Sequence, residues 1–331
     1  MLDALDAIHR FQAAFAELEF DAAYALIAEA LESDPITTWH RIVQHHSSDF
    51  FRLVEFLDRR REMADLLEGV YARAPDMIDV PPSSTDPDLP AKLKRQRLDN
   101  IEKGLPYFLM ASQGKSGSIS FGNIVPAGFS LTCTTYSMIH LAVIPSWARD
   151  YARGGASYNT HLLPTKTNID ALRQAGLTRI VVHTRDPRQI YLSVLHHQNR
   201  YRSAYPEKQA SGSFSLSLPD QALAEIGYFD EIVDWISGWT AAEGQGLTIL
   251  FTTFEQFVEN KAEVVDSILQ FYGGEMRHFD RAAAFATHSK VDYHFRLGER
   301  EEWRKVLDGA VIDRLNMRVP NTWFEKFGWR P

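Results

Sequence analysis

Residues 105–120 read L-P-Y-F-L-M-A-S-Q-G-K-S-G-S-I-S. An apolar run from Leu105 to Ala111 passes straight into a polar turn with two glycines. A run this short, stopped by a turn signal, predicts a strand buried on both faces. The turn Gln113-Gly114-Lys115-Ser116-Gly117-Ser118-Ile119-Ser120 then opens a stretch that predicts a helix. Glycine lets the main chain bend tightly and approach an anion. The first N–H groups of a helix point at that anion, and the helix dipole favours negative charge. Lys115 adds a mobile positive charge, and Ser116, Ser118 and Ser120 add hydroxyls. The segment predicts a cradle for phosphate or sulfate. A plain glycine–serine turn with a solvated lysine is the alternative.

Two further runs predict strands, Leu177–Thr184 (L-T-R-I-V-V-H-T) and Leu247–Thr252 (L-T-I-L-F-T), each followed by a helical pattern. That alternation predicts an α/β fold, a central parallel sheet with helices on both faces. Ligands of such sheets bind beyond the carboxyl ends of the strands. The first hundred residues predict helix instead. Ala22, Ala23, Leu26, Ile27, Ala30 and Leu31 recur at helical spacing, and Asp34-Pro35 ends the run. Phe11 to Pro35 looks like a tetratricopeptide half-repeat, with an ordinary helical hairpin as the alternative. A second helical stretch is expected from Thr38 to Arg73. Residues 74–90 hold Pro75, Pro81, Pro82, Pro87 and Pro90 with Ser83, Ser84 and Thr85, a linker composition. The expected division is a helical N-terminal region with linker, 1–90, and an α/β domain, 91–331.

The net charge of −8 over 331 residues argues against a general affinity for nucleic acid or an anionic membrane, while leaving room for a local basic pocket. Cys133 is the single cysteine, so no internal disulfide forms. An acidic start and no apolar run of membrane-spanning length give a cytoplasmic protein as the expectation. A nucleotide triphosphatase loop would need glycine where Leu109 stands, and no magnesium-binding Asp follows a strand. Asp186 precedes Pro187 and reads as a helix N-cap. Arg185 therefore sits between a strand end and a helix start, with Ser193 eight residues on. A guanidinium there can hold a phosphate bidentately; a surface ion-pair partner is the alternative.

The lysine–serine–glycine loop after the first strand, then Arg185 and Ser193 opening a later helix, resembles the PAPS-dependent sulfotransferase family (PAPS, 3′-phosphoadenosine-5′-phosphosulfate). Thr160-His161-Leu162-Leu163-Pro164 resembles the family's His-Leu-Pro segment. Arg296-Leu297-Gly298, with Trp303 further on, resembles its Arg-Lys-Gly closing segment. Phe254-Glu255-Gln256-Phe257 resembles a structural stretch after a core strand. The likeness runs from about residue 104 to 329. It implies a P-loop-like sulfotransferase fold with PAPS as donor and PAP (3′,5′-adenosine bisphosphate) as product. It further implies that Lys115, Ser116, Gly117, Ser118, Ile119 and Ser120 hold the 5′-phosphosulfate. Arg185, Ser193, Arg296 and Gly298 would hold the 3′-phosphate. His161 would be the catalytic base, with Lys115 also catalytic at the leaving phosphate. The scheme requires no metal.

Several positions depart from the family pattern. Ser118 and Ile119 stand where it has two threonines, Leu297 where it has lysine, and Asn159 where a lysine often precedes the histidine. A tryptophan that often stacks on adenine is absent. The acceptor, a carbohydrate, phenol or peptide hydroxyl or an amine, is expected to meet Trp147–Tyr158 and the serine-rich stretch Ser203–Pro219, read as a lid. His45-His46 and His196-His197 read as packing or surface residues. The competing readings are a small-molecule kinase and an inactive sulfotransferase-like scaffold.

Overall fold

Residues 4–34, 37–38, 41–42, 50, 53–54, 57, 59–73, 88–131, 133–135, 143–273, 278–286 and 299–331 are described by the structure, a computed structural model. Their five strands are β1 (Phe108–Ser112), β2 (Cys133–Thr135), β3 (Ser157–Thr160), β4 (Arg179–Thr184) and β5 (Thr248–Thr253). They form one sheet in the order β2-β3-β1-β4-β5, and each pairing is parallel. The three strands read from sequence are present, each trimmed at its start. The two that escaped notice, β2 and β3, are the short polar sequences Cys-Thr-Thr and Ser-Tyr-Asn-Thr. Neither carries an apolar run that would announce it.

The pleat sends alternate side chains to opposite faces. Leu109 and Ala111 of β1 and Ile180 and Val182 of β4 enter one apolar cluster. Phe108 and Met110 of β1 and Val181 of β4 enter a second. The helices Ser118–Phe129 and Lys261–Tyr272 cover the second face through Phe121, Ile124, Val125, Val265 and Ile268. The helices Lys166–Gln174, Pro187–Arg200 and Ile226–Ala242 cover the first. Burial on both faces is why β1 and β4 read as continuous apolar runs rather than alternating ones.

In the N-terminal region, helices Ala4–Ala16 and Phe20–Ser33 pack together, with Leu18 turning the chain at φ 64°. Ile27 and Leu31, expected on the apolar stripe, are fully buried. The first-face cluster runs without a break from Ile8 and Phe11 through Leu67 and Val70 to Trp147 and on to the sheet. Glu68, on the helix Arg60–Arg73, accepts from the main-chain N–H and hydroxyl of Ser146 at the start of the helix Pro145–Tyr151. Prolines 75, 81, 82 and 87 of the expected linker lie outside the described residues. The boundary at residue 90 falls in the first turn of the helix Leu89–Glu102.

Trp147, Tyr151 and Tyr158 are buried core residues, not the exposed acceptor lining expected of them. Trp147 stacks on Tyr151 at 4.7 Å, and the Tyr151 hydroxyl donates to the Phe108 carbonyl at 3.0 Å. Tyrosine and tryptophan serve equally well as core side chains when the polar atom finds a partner.

Arg188 fastens the C-terminal segment to the sheet. Its guanidinium is fully buried and donates to both carboxylate oxygens of Asp186, at 2.9 and 2.8 Å. It also donates to Asn316 Oδ1 at 2.7 Å and to the Arg330 carbonyl, and it lies 4.0 Å over the Trp303 ring. Removing one partner of a buried ion pair leaves the other charge uncompensated, at a cost of roughly 3–5 kcal/mol. Arg188→Ala should therefore lower the urea-unfolding free energy by about 3 kcal/mol. A loss below about 1 kcal/mol would show that this pair does not hold the C-terminal segment.

Candidate active site

Three parallel strands deliver their carboxyl ends side by side. β1 lies between β3 and β4, with Ala111 level with Thr160 on one side and Ser112 level with His183 on the other. The loop 113–117 follows β1, His161 follows β3 and Arg185 follows β4. These segments are far apart in sequence, and the sheet register alone makes them neighbours. From β1 the chain passes to the β2–β3 side, then crosses back to β4, so the crevice between β1 and β4 is a topological switch point.

The loop holds an unusual backbone. Lys115 has φ 65° and Gly117 φ 81°. At Gly117 a side chain is excluded twice, by that φ and because a Cβ would lie 2.9 Å from the Phe254 ring. Gly117 is also the N-cap of the helix Ser118–Phe129, and no side-chain cap bonds form there among the described residues. The N–H groups of Ser118, Ile119 and Ser120 are those a helix cannot satisfy internally. An anion is the natural partner for such a start.

Three of the loop carbonyls, by contrast, are occupied. The Gln113 carbonyl accepts from the Ser116 hydroxyl at 2.6 Å and from the Ser116 N–H at 3.2 Å. The Lys115 carbonyl accepts from Arg185 at 3.2 Å, and the Ser116 carbonyl from His183 Nε2 at 3.1 Å. The side chain of Gln113 donates to the Ile232 carbonyl at 3.0 Å and accepts from the Thr184 hydroxyl at 3.1 Å. Ser116 is fully buried, so its hydroxyl serves the turn. Ser118 is buried, Ile119 half-buried and Ser120 exposed. Lys115 is half-buried, and burial pushes its ammonium down to about 8.

Asn159, one of the positions that departs from the family pattern, closes the underside of the loop. Its Oδ1 accepts from the Ser112 hydroxyl at 2.7 Å, and its Nδ2 donates to the Ser118 carbonyl at 2.8 Å. The helix passes so close that a Cβ on Gly122 would lie 2.3 Å from Asn159 Nδ2.

His161 is half-buried, and its Nδ1 meets the Ser112 carbonyl. A carbonyl only accepts, so Nδ1 carries the proton, and in the neutral ring Nε2 is the unprotonated nitrogen. Burial holds this histidine below its ordinary range, and the nearby Lys115 charge acts the same way. The segment after it is pinned from several sides. Trp235 Nε1 donates to the Leu162 carbonyl and Asn168 Nδ2 to the Leu163 carbonyl, each at 2.9 Å. Pro164 packs so tightly on the helix Ile226–Ala242 that a Cβ on Gly238 would meet its ring at 2.5 Å.

Arg185 is buried at the end of β4. Besides the Lys115 carbonyl it donates to the Glu299 carbonyl, and its guanidinium lies 4.1 Å over Phe254. Asp186 caps the helix Pro187–Arg200 through the Arg188 N–H at 2.9 Å, as its sequence position predicts. Ser193 is half-buried on that helix. Arg296, Leu297 and Gly298 lie outside the described residues. Beyond them, Glu302 is clasped by Gln189 through its N–H at 2.8 Å and its carboxylate at 3.3 Å. Ser203–Pro219, read as a lid, folds into the 3₁₀ turns Arg202–Ala204 and Ser213–Ser215, the short helix Pro206–Ala210 and the start of the helix Leu218–Ala224. Glu225 fastens them, accepting from Lys208, Ser213 and Gln221.

Sequence reasoning missed His183, Asn159, Phe254 and Trp235 as site-shaping residues. For His183 a signal existed: a histidine inside an otherwise apolar strand run requires two buried partners. Asn159 and Trp235 carried none, because their partners come from distant segments.

A family model described as a sulfotransferase domain matches residues 149–323. Among solved structures, the fold is similar to mouse sulfotransferase SULT7A1 complexed with PAP, at 14% sequence identity and a TM-score of 0.48. The likeness covers 71% of this chain and 90% of that one. No curated protein is significantly similar in sequence.

Gly117→Ala should destabilise the chain by about 1–3 kcal/mol, from the positive φ and the clash with Phe254. Adding Phe254→Leu to it should recover part of that loss in chemical denaturation. An additive double mutant would show that Phe254 is not what confines the loop.

Proposed function

We propose that this chain, which belongs to the sulfotransferase domain family and is a PAPS-dependent sulfotransferase, transfers the sulfuryl group directly and in line to an acceptor hydroxyl or amine, with His161 as general base. The observation that carries this reading is the meeting of three unlike groups at adjacent strand ends. An imidazole whose Nδ1 is held by the Ser112 carbonyl, an uncapped helix start with its lysine, and a guanidinium follow β3, β1 and β4 respectively.

The residues present fit the donor. PAPS, when bound, supplies a sulfuryl group on a good leaving phosphate. The first-turn N–H groups from Gly117 to Ser120, with Lys115, would hold the 5′-phosphosulfate. Exposed Ser120 is the hydroxyl able to stand in where Ile119 has none. Arg185 and Ser193, joined by Arg296 and Gly298, would hold the 3′-phosphate. Arg185 would share or exchange its bond to the Glu299 carbonyl as it does so, which couples the donor site to the segment that ends at residue 298. His161 takes the acceptor proton on Nε2 while Nδ1–H stays on the Ser112 carbonyl, so the ring does not rotate during transfer. Lys115 neutralises charge developing on the leaving phosphate. The acceptor class, carbohydrate, phenol or peptide, is left to the region about Ser203–Pro219. The domain begins near residue 91, and the N-terminal helices contribute to its core.

His161→Ala should lower turnover by about 10²–10⁴-fold on whatever acceptor the wild type sulfates. Its PAP affinity by calorimetry should stay within about threefold of wild type. Retained turnover would remove His161 from the reaction. In the wild type, turnover should persist at pH 7 and fall only below the ordinary histidine range, because burial lowers this group.

PAP affinity should also fall as pH rises past about 8, where the buried Lys115 loses its charge in the free protein. Binding then requires uptake of a proton, so the fall approaches tenfold per pH unit at most. Lys115→Arg, charged throughout, should flatten this profile. A wild-type affinity constant from pH 7 to 10 would show that Lys115 does not face the nucleotide. A thermal shift with ATP and magnesium and none with PAP would favour the kinase reading instead.

A further inference from the structure

His183 lies in the middle of the sheet and takes no part in the transfer just described. It is fully buried on β4, and four contacts fix its ring. Nε2 meets the Ser116 carbonyl at 3.1 Å. Nδ1 meets the Thr252 hydroxyl of β5 at 2.9 Å. One face stacks on Phe121, with centroids 3.8 Å apart and the planes within 8°. Phe257 closes the edge at 6.0 Å and 79°. The main chain of the same residue takes part as well, since the His183 carbonyl accepts the Gln113 N–H at 3.0 Å. One residue thus holds the loop at its entry through the backbone and near its exit through the side chain.

The chemistry of the contacts sets the tautomer. The Ser116 carbonyl can only accept, so Nε2 bears the hydrogen. Nδ1 is then bare and accepts from the Thr252 hydroxyl. Burial pushes this imidazole down to about 3, consistent with a neutral ring.

The consequence lies in the next peptide unit. A trans peptide is planar, with its C=O and N–H pointing in opposite directions. With the Ser116 carbonyl drawn to His183 on β4, the Gly117 N–H points the opposite way, and Gly117 is the residue at the uncapped helix start. Gly117 is the residue whose positive φ lets either orientation form. A peptide next to glycine needs an external hold if its N–H is to face one way.

We infer that His183 is a positioning residue that aims the Gly117 N–H into the anion cradle by holding the Ser116 carbonyl. The inference rests on the donor-site reading above for the identity of the anion. The tautomer and the hydrogen bond do not depend on that reading.

Two variants separate the bonds. His183→Gln keeps a donor near the Nε2 position and so keeps the Ser116 bond. His183→Asn keeps only a group near Nδ1, beside Thr252, and abandons the Ser116 carbonyl. Calorimetric titration with PAP should show His183→Asn about tenfold weaker than wild type and His183→Gln within about threefold. Thermal unfolding of the two should be lowered alike, since both lose the stacking on Phe121. Equal PAP affinities in the two variants would overturn the positioning role. If His183→Asn fails to fold, His183→Leu makes the comparison, because it fills the site with no donor for the Ser116 carbonyl. It should weaken PAP about tenfold, and an unchanged affinity would overturn the proposal. The ¹⁵N shifts of the His183 ring, measured without nucleotide from pH 8 to 5, should report Nε2–H with a bare Nδ1. The opposite tautomer or a charged ring would refute the link. A wild type that binds no PAP would refute the donor reading, and the ring shifts would then decide the His183 link on their own.

Discussion

Everything at this site depends on one arrangement of backbone dipoles. The loop after β1 must present N–H groups to an anion, and a chain can do so only if its carbonyls are satisfied elsewhere. In this structure the Gln113 carbonyl is satisfied by Ser116 within the turn, the Lys115 carbonyl by Arg185 and the Ser116 carbonyl by His183. Two of the three donors come from the end of β4. The strand that brings Arg185 to the cleft is therefore also the strand that shapes the cradle. The glycine at 117 is confined by Phe254, the first residue after β5, which also carries the Arg185 guanidinium on its face. Neighbouring strand ends thus support one another, and loosening one of them loosens the cradle.

The electrostatics follow from that geometry. An acidic chain, net −8, concentrates Lys115 and Arg185 beside an uncapped helix start. Low-dielectric walls strengthen the local field that such a group presents to an anion. The nearby carboxylates are turned to structural use. Asp186 is neutralised by Arg188, and Glu255 accepts from the Asp186 N–H and from Trp329 Nε1, each at 3.3 Å. Burial raises Glu255 above its ordinary value, with Asp186 adding to the effect.

The regions around the catalytic strands are integrated with them. The N-terminal helices share a continuous apolar cluster with the sheet, and Trp147 and Leu109 belong to it. At the other end, Trp303, Trp323 and Trp329 bury the C-terminal segment against the same face, and Arg188 joins it to the start of the helix after Arg185. Glu302, held by Gln189, brings the chain past that same helix directly after the segment that resembles the family's closing loop.

The sequence by itself determined the strand, turn and helix start of 105–120, the later strands ending at Thr184 and near Thr252, the Asp186 cap and the placement of Arg185 beside it. These are local facts: apolar runs, glycine and cap chemistry act over a few residues and are legible without knowing what packs where. It also gave the order of motifs that resembles the sulfotransferase family. Only the tertiary structure decided that β3 exists at all, since Ser157–Thr160 is polar and gains its place by pairing with β1 and β2. It likewise decided that Trp147 and Tyr151 are core, and that Asn159 and His183 are buried supports of the loop. The physical reason is the same in each case. A polar or aromatic side chain is equally at home in water or in the interior until a partner is supplied, and those partners lie 41 to 69 residues away along the chain.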